Sequence, residues 1–242
     1  MTDQTEIPRI IHFVWLGPMP QWVWRNISLF TEMNPGWAID LRRDAADLLP
    51  SYQAAYAAAA TVQMRSDILR LDSLEREGGW YFDTDCIPLR PIADIEAAYA
   101  IGDRLFVVAL AELNANNTIL AAGLQCLAWP AMHDLLDELT PLPKAHGGAL
   151  NTAAYHMILM SRLRHRRPDA ICAADEIDFS VTGSYRGDHQ LYQIATAAAP
   201  AANRSAIATL IRSVQAGVVP ARAGEGAFCL HGSLGTAAFL AD

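Results

Sequence analysis

Asp83 and Asp85, which follow the stretch "GGWYF" with only Thr84 between them, are the side chains of this sequence best suited to chemistry. In an extended segment, side chains two residues apart point to the same side, at a backbone separation of about 7 Å. Two carboxylates that face one place repel each other unless a cation lies between them. Carboxylate oxygens suit a hard divalent ion such as Mg²⁺ or Mn²⁺, which keeps coordination positions open for substrate phosphates. The motif therefore indicates a metal and phosphate site, and the alternative is a turn in which the aspartates cap backbone groups.

Asp67 and Arg70 form a second pair of polar side chains, within "RSDILRLDSLEREGG". Their spacing of three residues places them on one face of a predicted helix, where an exposed ion pair contributes only a few tenths of a kcal/mol. That helix leads through Gly78 and Gly79 into the strand that carries the aspartates, and a strand after so tight a turn packs back against its helix. The pair is therefore either an ordinary surface salt bridge or part of the same site as Asp83.

The hydrophobic pattern predicts the alternating strands and helices of an α/β fold, because β-rich apolar runs are followed by segments of helical period. The first elements are a buried strand in "RIIHFVWLG", a helix in "QWVWRNISLFTEM", a strand in "WAIDL", helices over 44–60 and 62–77, and a strand over 80–82. Later elements are a strand in "RLFVVALA", helices in "PAMHDLLDEL" and "GALNTAAYHMILMSRLRHRR", a helical pattern over 201–216, and a short strand in "GAFCLHGSLGTAAFL". No repeat or long linker interrupts this alternation, so we predict one domain over residues 1–242.

Composition and charge exclude several classes of protein. The net charge of −8 argues against nucleic-acid binding, because contacts to phosphates need a basic surface. Four cysteines without a CxxC pair indicate neither a zinc site nor a disulfide framework, and they favour a reducing compartment. The N-terminus lacks a signal-peptide pattern and no apolar run is long enough to span a bilayer, so we expect a cytoplasmic protein. The basic run "RLRHRR" (162–167) is expected to complement a helix dipole, with an anionic acceptor or a membrane surface as its alternative partner.

The sequence resembles glycosyltransferase family 32, whose members carry a DXD motif. The resemblance lies in two segments, "IHFVWLG" and, further along the chain, "SDILRLDSLEREGGWYFDTDCIPLRP". They are also similar to the glucosylating domain of the large clostridial toxins, and the resemblance is strong from Ile7 to Pro91. It implies a GT-A-type nucleotide-sugar-binding fold, with a mainly parallel or mixed central sheet flanked by helices. It also implies transfer of a sugar, with retention of configuration, from a UDP- or GDP-sugar to a hydroxyl acceptor. That acceptor would be a glycan, a lipid-linked saccharide or a small molecule, as in polysaccharide biosynthesis.

The resemblance also implies roles for individual residues. Trp15 would stack on the nucleobase, although a strand tryptophan more often fills a core. Asp67 and Arg70 would bind the hydroxyls of the donor sugar, and Tyr81 would lie near the ribose or the phosphates. The catalytic pair would be Asp83, in contact with the ribose or the sugar, and Asp85, the direct ligand of Mn²⁺ or Mg²⁺.

The same resemblance suggests further residues from the second half of the chain. Related enzymes close the site with a late histidine or serine and a tryptophan, and here His231 and Ser233 are candidates for the metal while no tryptophan follows Trp129. Asn116 and Asn117 occupy the region where the family has an asparagine on the acceptor side, although surface-loop asparagines are common. His12, on the first strand among apolar neighbours, is expected to be structural.

Two other functions compete with sugar transfer. "FDTDCI" superficially matches the nucleophilic motif of haloacid-dehalogenase-type phosphatases, in which the first aspartate is a covalent nucleophile. That class also needs a later lysine and an acidic pair, whereas Lys144 is the only lysine and no two aspartates are adjacent. The third alternative is a sugar-nucleotide-binding module that has lost turnover, which the missing late tryptophan supports.

Overall fold

The computed structural model of the protein describes residues 6–88, 90–109, 115–140, 152–175 and 229–231. Two compact units emerge, the first from Met1–Pro18, Gly36–Asp83 and Tyr99–Ala174, and the second from Met19–Pro35, Thr84–Ala98 and Asp175–Asp242. The prediction of one domain over the whole chain stays a prediction.

The described elements alternate between strands and helices, as the hydrophobic pattern predicts. In chain order they are β1 (Ile10–Val14), α1 (Gln21–Met33), β2 (Ala38–Arg42), α2 (Pro50–Ala58), α3 (Val62–Glu77), β3 (Gly79–Phe82), β4 (Cys86–Pro88), α4 (Ile92–Ala98), β5 (Leu105–Ala109), β6 (Ala115–Ala122), α5 (Trp129–Leu139), α6 (Thr152–Arg166), β7 (Ile171–Asp175) and β8 (Cys229–His231). A 3₁₀ turn, Pro168–Ala170, precedes β7. The helical pattern over 201–216 lies outside the described residues.

The first unit is built on a sheet with the strand order β2-β1-β3-β6-β5-β7 among the described residues. β1 runs parallel to both β2 and β3, whereas β6 runs antiparallel to β3 and β5. The expected mixed central sheet is therefore confirmed. Its apolar side chains pack against helices α2, α3, α5 and α6 in one buried cluster, which includes Tyr52, Leu71, Leu120, Leu136 and Leu163.

Two glycines make the turn from α3 into β3 and so fix the helix against the strand. Gly78 has φ +64°, and a Cβ there would lie 2.7 Å from the Pro8 ring. Gly79 has φ +102°, and its Cβ would lie 2.6 Å from the carbonyl oxygen of Ile10. Side chains are excluded by both the backbone conformation and the close neighbours. Because the turn is this tight, the face of α3 that carries Arg70 is held against β3.

The alanine-rich helix predicted over 44–60 is shorter than expected, since it covers only Pro50–Ala58. The Asp44 carboxylate accepts a hydrogen bond from the backbone N–H of Ala46 at 2.9 Å, which forms a local turn. Asp47 then adopts φ 60°, a conformation that a helix does not allow. Pro50 begins the helix at a position where its missing N–H costs nothing.

The second unit contains α1, α4 and the antiparallel pair of β4 with β8. Asn26 on α1 donates from Nδ2 to the carbonyl oxygen of Thr84 at 2.9 Å, and the Asn34 side-chain oxygen accepts from the N–H of Ile92 at 2.8 Å. Both asparagines are buried, so they link α1 to the segment that follows the DXD motif. In the part of the chain that the structure describes, no helix is long and apolar enough to cross a membrane.

Candidate active site

The carboxyl ends of β1 and β3 lie at one edge of the first unit's sheet. The strands are parallel, and their register pairs His12 with Tyr81. Trp15 comes three residues after His12, and Asp83 comes two residues after Tyr81. Both residues therefore lie beyond the same edge of the sheet. Open α/β sheets bind their ligands at this edge.

Arg70 on α3 connects two carboxylates at this edge. Its Nη2 lies 2.9 Å from Oδ1 of Asp67, and its Nη1 lies 3.1 Å from Oδ1 of Asp83. The Asp67 and Arg70 side chains are each only 6% exposed, while Asp83 is 22% exposed. The predicted pairing of Asp67 with Arg70 is confirmed, but the alternative of an ordinary surface salt bridge is wrong, because the Gly78–Gly79 turn buries this face of α3 against β3.

Tyr81 supports both members of the Arg70–Asp83 pair. Its hydroxyl donates to Oδ1 of Asp83 at 2.7 Å, and its ring lies under the Arg70 guanidinium, 4.5 Å from the centroid. Burial raises the pKa of Tyr81 well above its usual value, and the Asp83 carboxylate raises it further. The charge of Arg70 lowers this pKa but does not cancel the increase. The phenol therefore stays protonated as a hydrogen-bond donor, and Arg70 supplies a cation that offsets the charge of Asp83.

Trp15 lies just past β1 and is only partly buried, so it is not a core residue. Its indole Nε1 donates to the carbonyl oxygen of Pro18 at 2.8 Å. Arg43 holds the same loop, because it donates to the carbonyl oxygens of Trp15 at 3.0 Å and of Gly17 at 2.7 Å. A tryptophan face fixed at the ligand-binding edge of the sheet can stack on a planar ligand. Arg43 could not be predicted from the sequence, because the two groups it contacts here are backbone carbonyls.

His156 and Tyr155, on α6, are further residues that the sequence analysis missed. Nδ1 of His156 lies 3.3 Å from Oδ2 of Asp67. Burial, together with the charge of Asp67, raises the pKa of Tyr155 to about 12, so this phenol is neutral beside the carboxylate. Within the sequence both residues belong to one predicted helix, and nothing in their spacing connects them to Asp67.

Asp85 belongs to the second unit, where β4 begins one residue after it. β4 pairs with β8 so that Cys86 lies opposite His231. The backbone of His231 is thereby brought beside the end of the DXD motif, and the short strand predicted near the C-terminus is confirmed. Ser233 lies outside the described residues.

Asn116 and Asn117 lie within strand β6 and not in a loop. The register of β6 against β3 pairs Phe82 with Ile119. Asn117, two residues before Ile119, is therefore carried by the backbone toward the edge where Asp83 lies.

A separate group of potential metal ligands, His12, Asp40 and Glu77, lies at the other end of β3, with its ligand atoms within 4.8 Å of one another. Nε2 of His12 lies 2.7 Å from the carbonyl oxygen of Gly78, and its Nδ1 lies 2.9 Å from Oδ2 of Asp40. Each ring nitrogen thus faces an oxygen acceptor, and the side chain is fully buried. These contacts link β1 to β2 and to the α3–β3 turn, which suits the structural role expected for His12.

The basic run at the end of α6 is engaged by nearby carboxylates. Arg166 donates to both oxygens of Glu138 at 2.7 Å, and Nη2 of Arg167 donates to Asp169 at 2.8 Å. The last turn of α6 contains Arg164, His165 and Arg166, where positive charge complements the helix dipole. The contacts favour the helix-end interpretation over a dedicated anion site.

Residues 12–101 match the family described as "Glycosyltransferase sugar-binding region containing DXD motif". No curated protein matches the chain in sequence. Among solved structures, the chain is similar to the galactosyltransferase LgtC in complex with donor and acceptor sugar analogues, with a TM-score of 0.52, 11% identity, and coverage of 94% of this chain and 88% of that one. The PaToxG glycosyltransferase gives a TM-score of 0.49 at 15% identity, with coverage of 88% of this chain and 79% of that one.

A third similar structure is the UDP-bound glycosyltransferase domain of the YGT toxin, with a TM-score of 0.45, 10% identity, and coverage of 70% of this chain and 80% of that one. The likeness to LgtC shows the GT-A fold, which confirms the expected fold class. The matched region contains the DXD motif together with Asp67, Arg70 and Tyr81. Residues 12–101 thus match a glycosyltransferase sugar-binding region, and the chain has the GT-A fold.

Proposed function

We propose that this protein is a glycosyltransferase that takes its sugar from a nucleotide diphosphate and transfers it to a hydroxyl acceptor, as enzymes of family 32 do. The observation that carries the proposal is the buried bridge from Asp67 through Arg70 to Asp83 at the ligand-binding edge of the sheet. A cation held between two carboxylates presents fixed donors and acceptors, which suit the vicinal hydroxyls of a sugar. Positioning of this kind acts on the transition state, because the reacting groups are already oriented.

We assign the divalent ion, Mn²⁺ or Mg²⁺, to Asp85, with His231 and Ser233 as further ligands. Oxygen donors with one imidazole suit these ions, and the β4–β8 register supports His231, because it brings the backbone of that residue beside Cys86. Asp83, which the spacing of the DXD motif offers as another ligand, is assigned to the donor sugar, since Arg70 and Tyr81 both contact its Oδ1. When bound, the ion neutralises charge on the departing diphosphate.

Further roles belong to the proposal on the strength of the resemblance. Trp15 stacks on the nucleobase of a UDP- or GDP-sugar, Tyr81 lies near its ribose or phosphates, and Asn117 lies on the acceptor side. Transfer retains the anomeric configuration, and the acceptor is a glycan, a lipid-linked saccharide or a small molecule. Free thiols at Cys126 and Cys172 support a reducing, cytoplasmic compartment.

The two competing functions differ in what they require of the site. A phosphatase would need Asp83 as a nucleophile, but the GT-A fold and the engagement of its Oδ1 by Arg70 and Tyr81 argue against that role. A binding module without turnover would keep every contact described above. Only activity separates this second alternative from the proposed enzyme.

The test combines binding with turnover. We expect one of UDP-glucose, UDP-galactose, GDP-mannose and GDP-fucose, with Mn²⁺, to raise the melting temperature and to be slowly hydrolysed, since only a ligand of the native state stabilises it. Stabilisation without hydrolysis, or without transfer to a panel of glycan acceptors, would favour the inactive module. Release of phosphate from p-nitrophenyl phosphate would favour the phosphatase.

Replacement of Trp15 by alanine should weaken nucleotide binding by about 1–3 kcal/mol, the range for stacking of an aromatic ring on a base. Because Trp15 is only partly buried, the free energy of unfolding should fall by less than the ~3–5 kcal/mol typical of a core tryptophan. Titration with UDP and GDP and urea unfolding measure the two effects. Trp24→Ala, at a tryptophan that is 52% exposed on α1, is the control and should change neither. A large loss of stability with unchanged nucleotide affinity would contradict the stacking role.

A further inference from the structure

His156 is a titratable side chain beside the Asp67–Arg70–Asp83 bridge for which the proposed function has no role. It lies in the first half of α6, and its side chain is 18% exposed. Its Nδ1 lies 3.3 Å from Oδ2 of Asp67, and that carboxylate uses its other oxygen, Oδ1, to accept from Arg70 at 2.9 Å. The two oxygens of Asp67 are thus contacted by groups from two different helices.

His156 is placed to constrain the Asp67 carboxylate in a way that Arg70 alone does not. A carboxylate hydrogen-bonded at one oxygen can still rotate about its χ2 bond, whereas a second hydrogen bond, from His156 to Oδ2, would fix its plane. The plane of Asp67 in turn fixes the guanidinium of Arg70, whose other arm reaches Asp83. The two atoms are buried and lie 3.3 Å apart without the geometry of a hydrogen bond, so a small rotation of the imidazole as the substrate binds would complete the contact.

We propose that His156 is a positioning residue for the donor sugar, which acts by holding Asp67 through Nδ1–H while Asp67 and Arg70 bind the hydroxyls. This inference rests on the proposed function, because it assigns the sugar to Asp67 and Arg70. The interaction needs only one proton, on Nδ1, so a neutral ring suffices. An asparagine side chain can place its amide N–H near the position of Nδ1, whereas a glutamine amide reaches the position of Nε2.

This difference gives the experiment its design. His156 is changed to Ala, Asn and Gln, with His165→Asn, at an exposed histidine on the same helix, as the matched control. The probes are UDP-glucose and UDP with Mn²⁺, or GDP-mannose and GDP if the wild type prefers guanine. For each variant, kcat and KM for donor hydrolysis, the Kd of both ligands and the melting temperature are measured.

We expect His156→Ala and His156→Gln to lower kcat/KM by about 10–100-fold, the size of effect that a small misplacement of a substrate-binding group produces. His156→Asn should recover most of this loss, and His165→Asn should match the wild type. Affinity for the nucleoside diphosphate, which has no sugar, should be the same in every variant. In an Asp67→Asn background, His156→Ala should cause little further loss, because the two residues act through one contact.

Several outcomes would overturn the inference. Equal losses in the Ala, Asn and Gln variants would mean that no Nδ1 contact is involved, and parallel losses of UDP and UDP-glucose affinity would mean a general structural role. Wild-type kinetics in His156→Ala would refute the positioning role and leave the proposed function intact. A wild type that neither binds nor hydrolyses any nucleotide sugar would refute the proposed function itself, and this inference with it.

Discussion

Replacement of Arg70 by alanine is expected to lower kcat/KM for sugar transfer by about 10²–10³-fold or more, the loss typical when a preorganised charged group is removed from a reaction centre. Arg70 contacts Asp67 and Asp83 at the same time, and its guanidinium lies on the ring of Tyr81. Without it, the donor sugar loses a binding group and Asp83 loses the cation that aims it. Initial rates of transfer or of donor hydrolysis measure the effect.

The same change should also destabilise the fold, because it leaves the buried Asp67 carboxylate without its cation. Breaking a buried ion pair by removing one partner costs about 3–5 kcal/mol, far more than loss of an exposed pair three residues apart. The burial of both side chains, each 6% exposed, is the reason for expecting the larger figure. Urea unfolding of Arg70→Ala against the wild type tests this expectation.

A second variant separates the catalytic effect from the loss of stability. The double variant Asp67→Asn with Arg70→Ala removes the uncompensated charge, so it should recover much of the stability and none of the activity. Arg65→Ala, at an exposed arginine on the same helix, is the control and should leave both unchanged. Activity that returns along with stability in the double variant would show that Arg70 is a structural residue and would remove the main support of the proposed function.

Removal of divalent metal is expected to abolish transfer, and Mn²⁺ is expected to restore it. Asp85→Asn should lower the transfer rate by about 10²–10³-fold even in excess Mn²⁺, because stabilisation of the departing diphosphate is lost. In EDTA the variant should unfold at the same temperature as the wild type or slightly above it, since one of two nearby carboxylates is gone. Nucleoside diphosphate with Mn²⁺ should raise the melting temperature of the wild type alone.

The matched control for Asp85 is Asp94→Asn on α4, an aspartate that is 41% exposed and accepts from Nε of Arg90 at 2.9 Å. This variant should keep both transfer and the response to Mn²⁺. Full wild-type activity in EDTA would contradict the metal assignment. Unfolding of Asp85→Asn in EDTA would instead indicate the turn alternative, in which the aspartate stabilises the backbone.

Much of the fold follows from local sequence signals. The hydrophobic period predicts the strand β3 and the helix α3, and the two consecutive glycines predict the Gly78–Gly79 turn. These predictions succeed because each signal lies within a few residues of the element that it specifies. The helix predicted over 44–60 is too long, because the alanine-rich composition of this segment favours helix. The hydrogen bond of the Asp44 side chain and the backbone conformation of Asp47 prevent a helix in the first part of the segment. Asparagine is common in surface loops, and only the pairing of β6 with β3 shows that Asn117 belongs to a strand.

The chemistry of the site divides in the same way. The sequence by itself determined the DXD motif, the pairing of Asp67 with Arg70 on one helix face, and the position of Trp15 after the first strand, because these depend on spacing within single elements. Only the tertiary structure decided that this pair is buried, that Arg70 reaches Asp83, and that Asp67 also meets His156. Strand register likewise decided which residue lies opposite Cys86. Contacts between elements that are distant in the chain depend on how helices and strands pack. The hydrophobic period indicates which face of an element is buried, but it does not indicate which other element covers that face.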